Sequence, residues 1–205
     1  MKVIIQTTKT KVPRIQKEFL DAKEQALCSL DKACTDHHVD DDILPILNLL
    51  NKTGDYYTSS SCAGRIMTFE IPSLGDKQRA RILGKWHRTI RIEELFAATQ
   101  TAQQGMIWLL AQAPILHIGC STLEAADMLV KLSGSCGFKN SSVKSTGKKI
   151  IVEICSTERL DAPIGKDGIL FCDDRYLQLL TDISNKVIER SQMKLKRFEK
   201  KLRNI

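Results

Sequence analysis

Aromatic side chains are scarce, 5% of 205 residues, too few for a broad platform on which nucleic-acid bases could stack. No apolar run is long enough to cross a bilayer, and the opening MKVIIQTTKTKVPRIQ has neither the hydrophobic stretch nor the small-residue cleavage site of a secretory signal. A folded cytoplasmic protein without a membrane partner is expected. There is no CxxC pair, and the seven cysteines (Cys28, Cys34, Cys62, Cys120, Cys136, Cys155, Cys172) are odd in number, so reduced thiols are expected rather than a disulfide framework. The gaps among Cys28, Cys34, His37 and His38 fit no usual structural zinc pattern, and no metal is assigned. With 42% apolar and 27% charged residues, the chain reads as one domain spanning residues 1–205.

What is abundant is positive charge in two places. Lys77 to Arg91 holds six basic side chains and no acid, and Lys186 to Arg203 holds eight against Glu189 and Glu199. Each stretch carries +6 while the whole chain carries +7, so the remainder is mildly acidic. Such a distribution suits a structured polyanion gripped through its backbone. Two solvated basic helix faces are the plainer alternative. Nothing calls for an obligatory protein partner.

Helical spacing follows Pro13 through Ile15, Phe19, Ala22, Ala26 and Leu30, and a second helix is expected from about Val39, with Asp40, Asp41 and Asp42 at its positive end. Tyr56 to Ser60 and Arg65 to Ile71 read as strands, Ile92 to Gln104 as helix, and Met106 to Ala111 and Ile115 to Cys120 as strands parted at Pro114. Ser121 and Glu124 form an S-x-x-E signature opening the next helix. Ser141 to Ser145, Lys149 to Ser156 and Ile169 to Cys172 are further strands. Asp173 or Asp174 caps a basic C-terminal helix over about 174–204, with Leu177, Leu180, Ile183, Val187 and Leu195 inward. Its apolar positions thin out after Lys186, so its end is expected to project from the core. The order gives an α+β fold rather than a doubly wound one.

Between two strands, YYTSSSCAGRI (Tyr56 to Ile66) packs three serines, a thiol, a glycine and an arginine. Serine hydroxyls and backbone N–H groups can hold a carboxylate or phosphate, and Arg65 can grip it with two parallel hydrogen bonds. A polar hairpin turn with Arg65 on a neighbouring acid is the alternative.

This stretch resembles the signature of the tRNA wybutosine-synthesising methyltransferase family, the third protein of the wybutosine pathway. The resemblance extends in order to SLDKA (Ser29 to Ala33), VDDDI (Val39 to Ile43), Trp86-His87, ILHIGC (Ile115 to Cys120), GFKNS (Gly137 to Ser141), ICSTE (Ile154 to Glu158) and the basic tail. It implies methyl transfer from S-adenosylmethionine to ring N(4) of a 4-demethylwyosine-type guanosine derivative beside the anticodon of tRNA(Phe). It also implies a barrel-like mixed sheet built from two α+β repeats with helices outside. The chain lacks a glycine-rich dinucleotide-type loop, so it is not a Rossmann methyltransferase. A non-catalytic basic RNA-binding protein is the rival reading.

Methyl transfer is an in-line displacement that needs alignment more than covalent help, so Cys62 is not expected to be a nucleophile. Candidate catalytic groups are His87, taking the proton lost from the ring, and Asp31, binding an ammonium or ribose hydroxyls. Ser59, Ser60, Ser61, Arg65 and His117 are candidates for the cofactor. Trp86 on a base, Asn140 and Ser141 on base edges, and Lys194 and Arg197 on phosphate are candidates for the substrate.

Overall fold

The computed structural model describes residues 14–204; Pro13 and the side chains of Ile15 and Lys77 lie outside the described residues. The elements are α1 (Arg14–Thr35), α2 (Leu44–Lys52), β1 (Tyr56–Cys62), β2 (Arg65–Ile71), β3 (Arg81–Trp86), α3 (Ile92–Thr99), β4 (Met106–Gln112), β5 (Ile115–Cys120), α4 (Leu123–Ser135), β6 (Ser142–Thr146), β7 (Ile150–Cys155), β8 (Arg159–Lys166), β9 (Ile169–Leu170) and α5 (Asp174–Leu202). They form an α+β fold around a curled, barrel-like sheet.

The sheet has two halves, ordered β1-β5-β7-β6 and β3-β2-β4-β8-β9. Pairing continues from the first half into the second. Cys62 faces Ile115, and Arg65 just beyond faces Gln112. Ile115 faces Cys155, and Gln112 faces Arg159. Thus β1–β2, β5–β4 and β7–β8 are three long strands, each broken at the same level by residues 63–64, 113–114 and 156–158. This row of breaks is a crease across the sheet. All the strand pairs among the described residues are antiparallel, not mixed as expected; β2–β3, β6–β7 and β8–β9 are consecutive along the chain, and the other pairs join strands distant in sequence.

Alternation of side chains along the strands gives each half a single core face. Leu116, Ile118, Val152 and Ile154 pack under α2, α4 and the end of α5, while Ile66, Ile107, Leu109, Ala111 and Ile164 pack under α3 and the start of α5. One helix therefore seals both halves. Fully burying each aliphatic side chain contributes roughly 1.5–3 kcal/mol. The opposite face carries α1 at one end, where Phe19 packs on Tyr57 with ring centroids 5.4 Å apart. The helices therefore do not all lie on one side of the sheet.

Several sequence expectations are corrected. Helix α2 begins at Leu44 rather than Val39, because Asp40 turns away to tertiary partners. The hairpin weighed as the alternative for Tyr56 to Ile66 does not form: β1 and β2 belong to different halves of the sheet. Thr122 caps α4, its hydroxyl accepting from Ala125 N–H, while Ser121 donates to Asp55 at 2.7 Å. Ile183 is exposed, and the end of α5 does not project, since Leu195 and Phe198 are 2% and 0% exposed. The basic stretch from Lys77 is a short 3-10 turn and β3, not a helix.

Candidate active site

The serine-cysteine-glycine-arginine motif crosses the crease. Gly64 sits there with φ +98°, and a Cβ on it would lie 2.9 Å from the Gln112 carbonyl oxygen, so only glycine lets the two strands pass so closely. On either side of this crossing lies a cleft.

The first cleft, about 530 Å³, is lined by residues from the breaks and strand ends, including Arg65, Gln112, Ile115, Asn140, Cys155, Glu158 and Arg159. Arg65 Nε donates to Gln112 Oε1 at 3.1 Å. No carboxylate pairs with its guanidinium among the described residues, so the terminal nitrogens are left for a ligand. Of the cleft's lining residues, Ser156 and Glu158 are held by Lys194 of α5, which donates to Ser156 Oγ at 2.6 Å and to Glu158. Burial alone would raise the Glu158 carboxyl, but the hydrogen bonds from Lys194 and Ser156 outweigh it and hold it at about 2. Lys194, expected on phosphate, is thereby committed to the crease. Arg197 is exposed and lines a neighbouring groove with Arg190 and Met193.

The second cleft, about 570 Å³, is lined by Val39 to Asp42, Ala63 and Lys85 to Arg88. Asp40 grips it with both oxygens: Oδ2 accepts from Ala63 N–H at 2.9 Å, and Oδ1 is 3.0 Å from His87 Nδ1. An imidazole beside a carboxylate donates to it, so Nδ1 carries the proton and Nε2 keeps its lone pair. Cys62 Sγ lies 3.9 Å from that same Nδ1, and burial pushes its thiol up. This is not a thiolate-base pair. Trp86 is half-buried with its indole over Gly84, where a Cβ would meet the ring at 2.2 Å.

A separate polar row crosses β1, β5, β7 and β6. A bulge between Thr58 and Ser61 sets Ser59 and Ser60 opposite His117. Ser59 donates to the His117 carbonyl at 3.2 Å, and Ser60 Oγ is 2.9 Å from His117 Nδ1. His117 Nε2 is 3.0 Å from Glu153, which also pairs with Lys144 at 2.8 Å. The Lys144 hydrogen bond, against the opposing push of burial, holds Glu153 below the usual carboxylate range. With Nε2–H directed at Glu153, Nδ1 accepts from Ser60, and both serine protons are committed inside the protein. Ser59 and Ser60 therefore present only lone pairs, and the expectation that they donate to an anion is revised. Ser61 turns to the core side opposite Leu116, its buried hydroxyl without a partner among the described residues.

Other candidates fall elsewhere. Asp31 lies on the exposed surface of α1 and lines neither cleft. Ser141 closes a turn, donating to the Phe138 carbonyl at 2.8 Å and accepting from Cys155 N–H at 3.3 Å. Of the basic stretch, Arg79, Arg81 and Arg88 pair with Asp76, Glu70 and Glu94; along α5, Arg190 Nε lies 3.6 Å from Glu158, whereas Lys186 and Arg197 are exposed. Sequence reasoning missed Asp40, Gln112 and Glu153. An aspartate before a proline-opened helix reads as helix chemistry, and its partners 23 and 47 positions away leave no local sign.

Comparison with known proteins agrees with this architecture. The description "Methyltransferase TYW3" fits residues 21–204. A Pyrococcus abyssi protein named tRNA(Phe) 7-((3-amino-3-carboxypropyl)-4-demethylwyosine(37)-N(4))-methyltransferase 1 is 45% identical over 94% of this chain and 100% of its own length. A Methanocaldococcus jannaschii protein whose name is the same apart from the final 1 is 41% identical over 90% of this chain and 96% of its own. The solved structure of PH1069 protein from Pyrococcus horikoshii superposes with a TM-score of 0.89 at 45% identity, covering 92% of this chain and 98% of that one. Since the family description fits residues 21–204, nearly its whole length, the chain belongs to the Methyltransferase TYW3 family.

Proposed function

We propose that this protein methylates N(4) of 7-(3-amino-3-carboxypropyl)-4-demethylwyosine at position 37 of tRNA(Phe), with S-adenosylmethionine as donor, in the cytoplasm. The observation that carries this reading is near full-length identity of 45% to a relative bearing that name. Two clefts, one lined by Ala63 and the other by Arg65, supply room for two ligands.

Bound S-adenosylmethionine supplies an electrophilic methyl on a sulfonium. The first cleft fits such a ligand in size, and its free guanidinium fits a carboxylate. Arg65, oriented by Gln112, would hold the amino-acid carboxylate there through its terminal nitrogens, and Asn140 lines the same cleft. The second cleft takes the base: Trp86 offers its outer face, and His87 Nε2 accepts the ring proton while Asp40 holds the imidazole in the right tautomer. Arg197 and Lys186 on the outside of α5 hold tRNA phosphate.

The reading is tested by incubating the protein with labelled S-adenosylmethionine and tRNA(Phe) that carries the unmethylated precursor. Nucleoside mass spectrometry should place the label on the tricyclic base, and a label on unmodified guanosine would overturn the assignment. Arg65→Ala should lose affinity for the donor about tenfold or more while melting near the parent, and Arg65→Lys should restore only a fraction of it. A large fall in melting temperature with normal affinity would make Arg65 structural.

A further inference from the structure

Asp40, Cys62 and His87 form the one group of three potential metal ligands that lie within 4.8 Å of one another among the described residues. Carboxylate, thiol and imidazole come from three separate segments: the connection before α2, the end of β1 and the residue after β3. We propose that this cluster is a binding site for a thiophilic divalent cation of the zinc type, and that such an ion inhibits the enzyme.

Geometry comes first. A tetrahedral ion with ligand bonds of roughly 2.0 Å to nitrogen and oxygen and 2.3 Å to sulfur sets its ligand atoms about 3.3–3.6 Å apart. Here His87 Nδ1 is 3.0 Å from Asp40 Oδ1 and 3.9 Å from Cys62 Sγ. The third pair, Asp40 and Cys62, lies within 4.8 Å, so side-chain shifts alone bring the three atoms to ligand spacing. The second oxygen of Asp40 is already fixed by Ala63 N–H at 2.9 Å. That outer contact keeps the carboxylate a one-oxygen ligand, as outer-shell partners do at metal sites. The adjoining cleft leaves a fourth position for water. A thiol in the set selects zinc-like ions over magnesium or calcium.

Proton bookkeeping gives the consequence. On binding, the Cys62 thiol releases its proton to solvent, and the imidazole proton moves from Nδ1 to Nε2 as the metal takes the Nδ1 lone pair. His87 then points an N–H into the cleft where it had offered an acceptor. The inhibition rests on the reading of His87 as proton acceptor; the binding does not, and it is measured without donor or tRNA.

Cobalt(II) is the probe. Titrated into the chelator-treated full chain, it should bind with a stoichiometry of about one and give a near-ultraviolet sulfur-to-cobalt charge-transfer band. Cys62→Ala and His87→Ala should each abolish the band, while Cys155→Ala, which removes another half-buried thiol, should keep it. Asp40→Asn should weaken zinc affinity by roughly 10–100-fold or more. X-ray absorption of the zinc-loaded parent should show one sulfur near 2.3 Å with nitrogen and oxygen near 2.0 Å, a measurement that stands even if a variant fails to fold. Absence of any bound cobalt, a charge-transfer band that survives Cys62→Ala, or a zinc shell without sulfur would each overturn the site. A site confirmed by these measures but without effect on methyl transfer would overturn the inhibition alone.

Discussion

Lys194 and Glu158 form an ion pair across the crease, with side chains only 12% and 19% exposed. The pair ties the last turns of α5 to the break between β7 and β8. Because Glu158 sits at about 2 in the folded protein, against about 4.3 for a free glutamate, its contribution is complete above pH 4–5. It is lost as pH falls toward 2. Glu158→Gln should cost about 1–2 kcal/mol at pH 7, since solvent at the rim weakens the pair. The measurement is thermal melting across pH, where the gap between parent and variant should close below about pH 3. A constant gap would mean that lost packing, not charge, is responsible.

The same pair changes how the basic tail must be tested. Removing Lys194 onward would also remove Leu195 and Phe198, which are buried in the first core, Phe198 edge-on to Phe138 at 6.0 Å. Truncated protein should therefore fail to fold stably, with losses above about 3 kcal/mol. Exposed positions separate charge from packing. Lys186→Ala with Arg197→Ala should melt within about 0.5 kcal/mol of the parent and weaken tRNA binding. The slope of log affinity against log salt should fall by about 1–2. An unaltered salt slope would transfer the docking role to Lys85 and Arg91.

The helices and the core strands were legible because a single periodicity carries them: Leu116, Ile118, Val152 and Ile154 alternate inward in the sequence as in the fold. Strand β8 was not, since Pro163 and Gly165 punctuate it and a register shift between Ile107 and Trp108 accommodates them. Strand β3 hid behind its charge. The crease was invisible for a deeper reason. Ala63-Gly64, Ala113-Pro114 and 156–158 each read as an ordinary turn, and only pairing between segments some fifty residues apart aligns them. The candidate site divides in the same way: Arg65 and His87 stand out in the sequence as residue types, whereas Asp40 and Gln112 touch them only in the fold.

Gly64→Ala should show how much the crossing matters. The left-handed φ and the 2.9 Å approach to the Gln112 carbonyl together cost about 1–3 kcal/mol. Because Gln112 orients Arg65, affinity for the methyl donor should fall with stability. Chemical denaturation and calorimetry on the same sample check both. A variant as stable as the parent would mean that the crease relaxes freely.

The two histidines near the motif make the most discriminating comparison. His87 has Asp40 on Nδ1 and, among the described residues, no partner on Nε2, whereas His117 has Ser60 on Nδ1 and Glu153 on Nε2. A ring with both nitrogens engaged cannot take a proton from substrate without breaking a contact, but a ring with one free nitrogen can. In chelator-treated protein, His87→Ala should thus lower kcat by roughly 10²–10³-fold with little change in affinity for either ligand. His117→Ala should instead release Ser60 and Glu153, costing stability by about 1–2 kcal/mol and raising KM more than it lowers kcat. Single-turnover methylation alongside equilibrium binding for both variants separates the two effects. Equal loss of kcat in both would assign His117 to the chemistry as well, and would require the Ser60 contact to open during turnover.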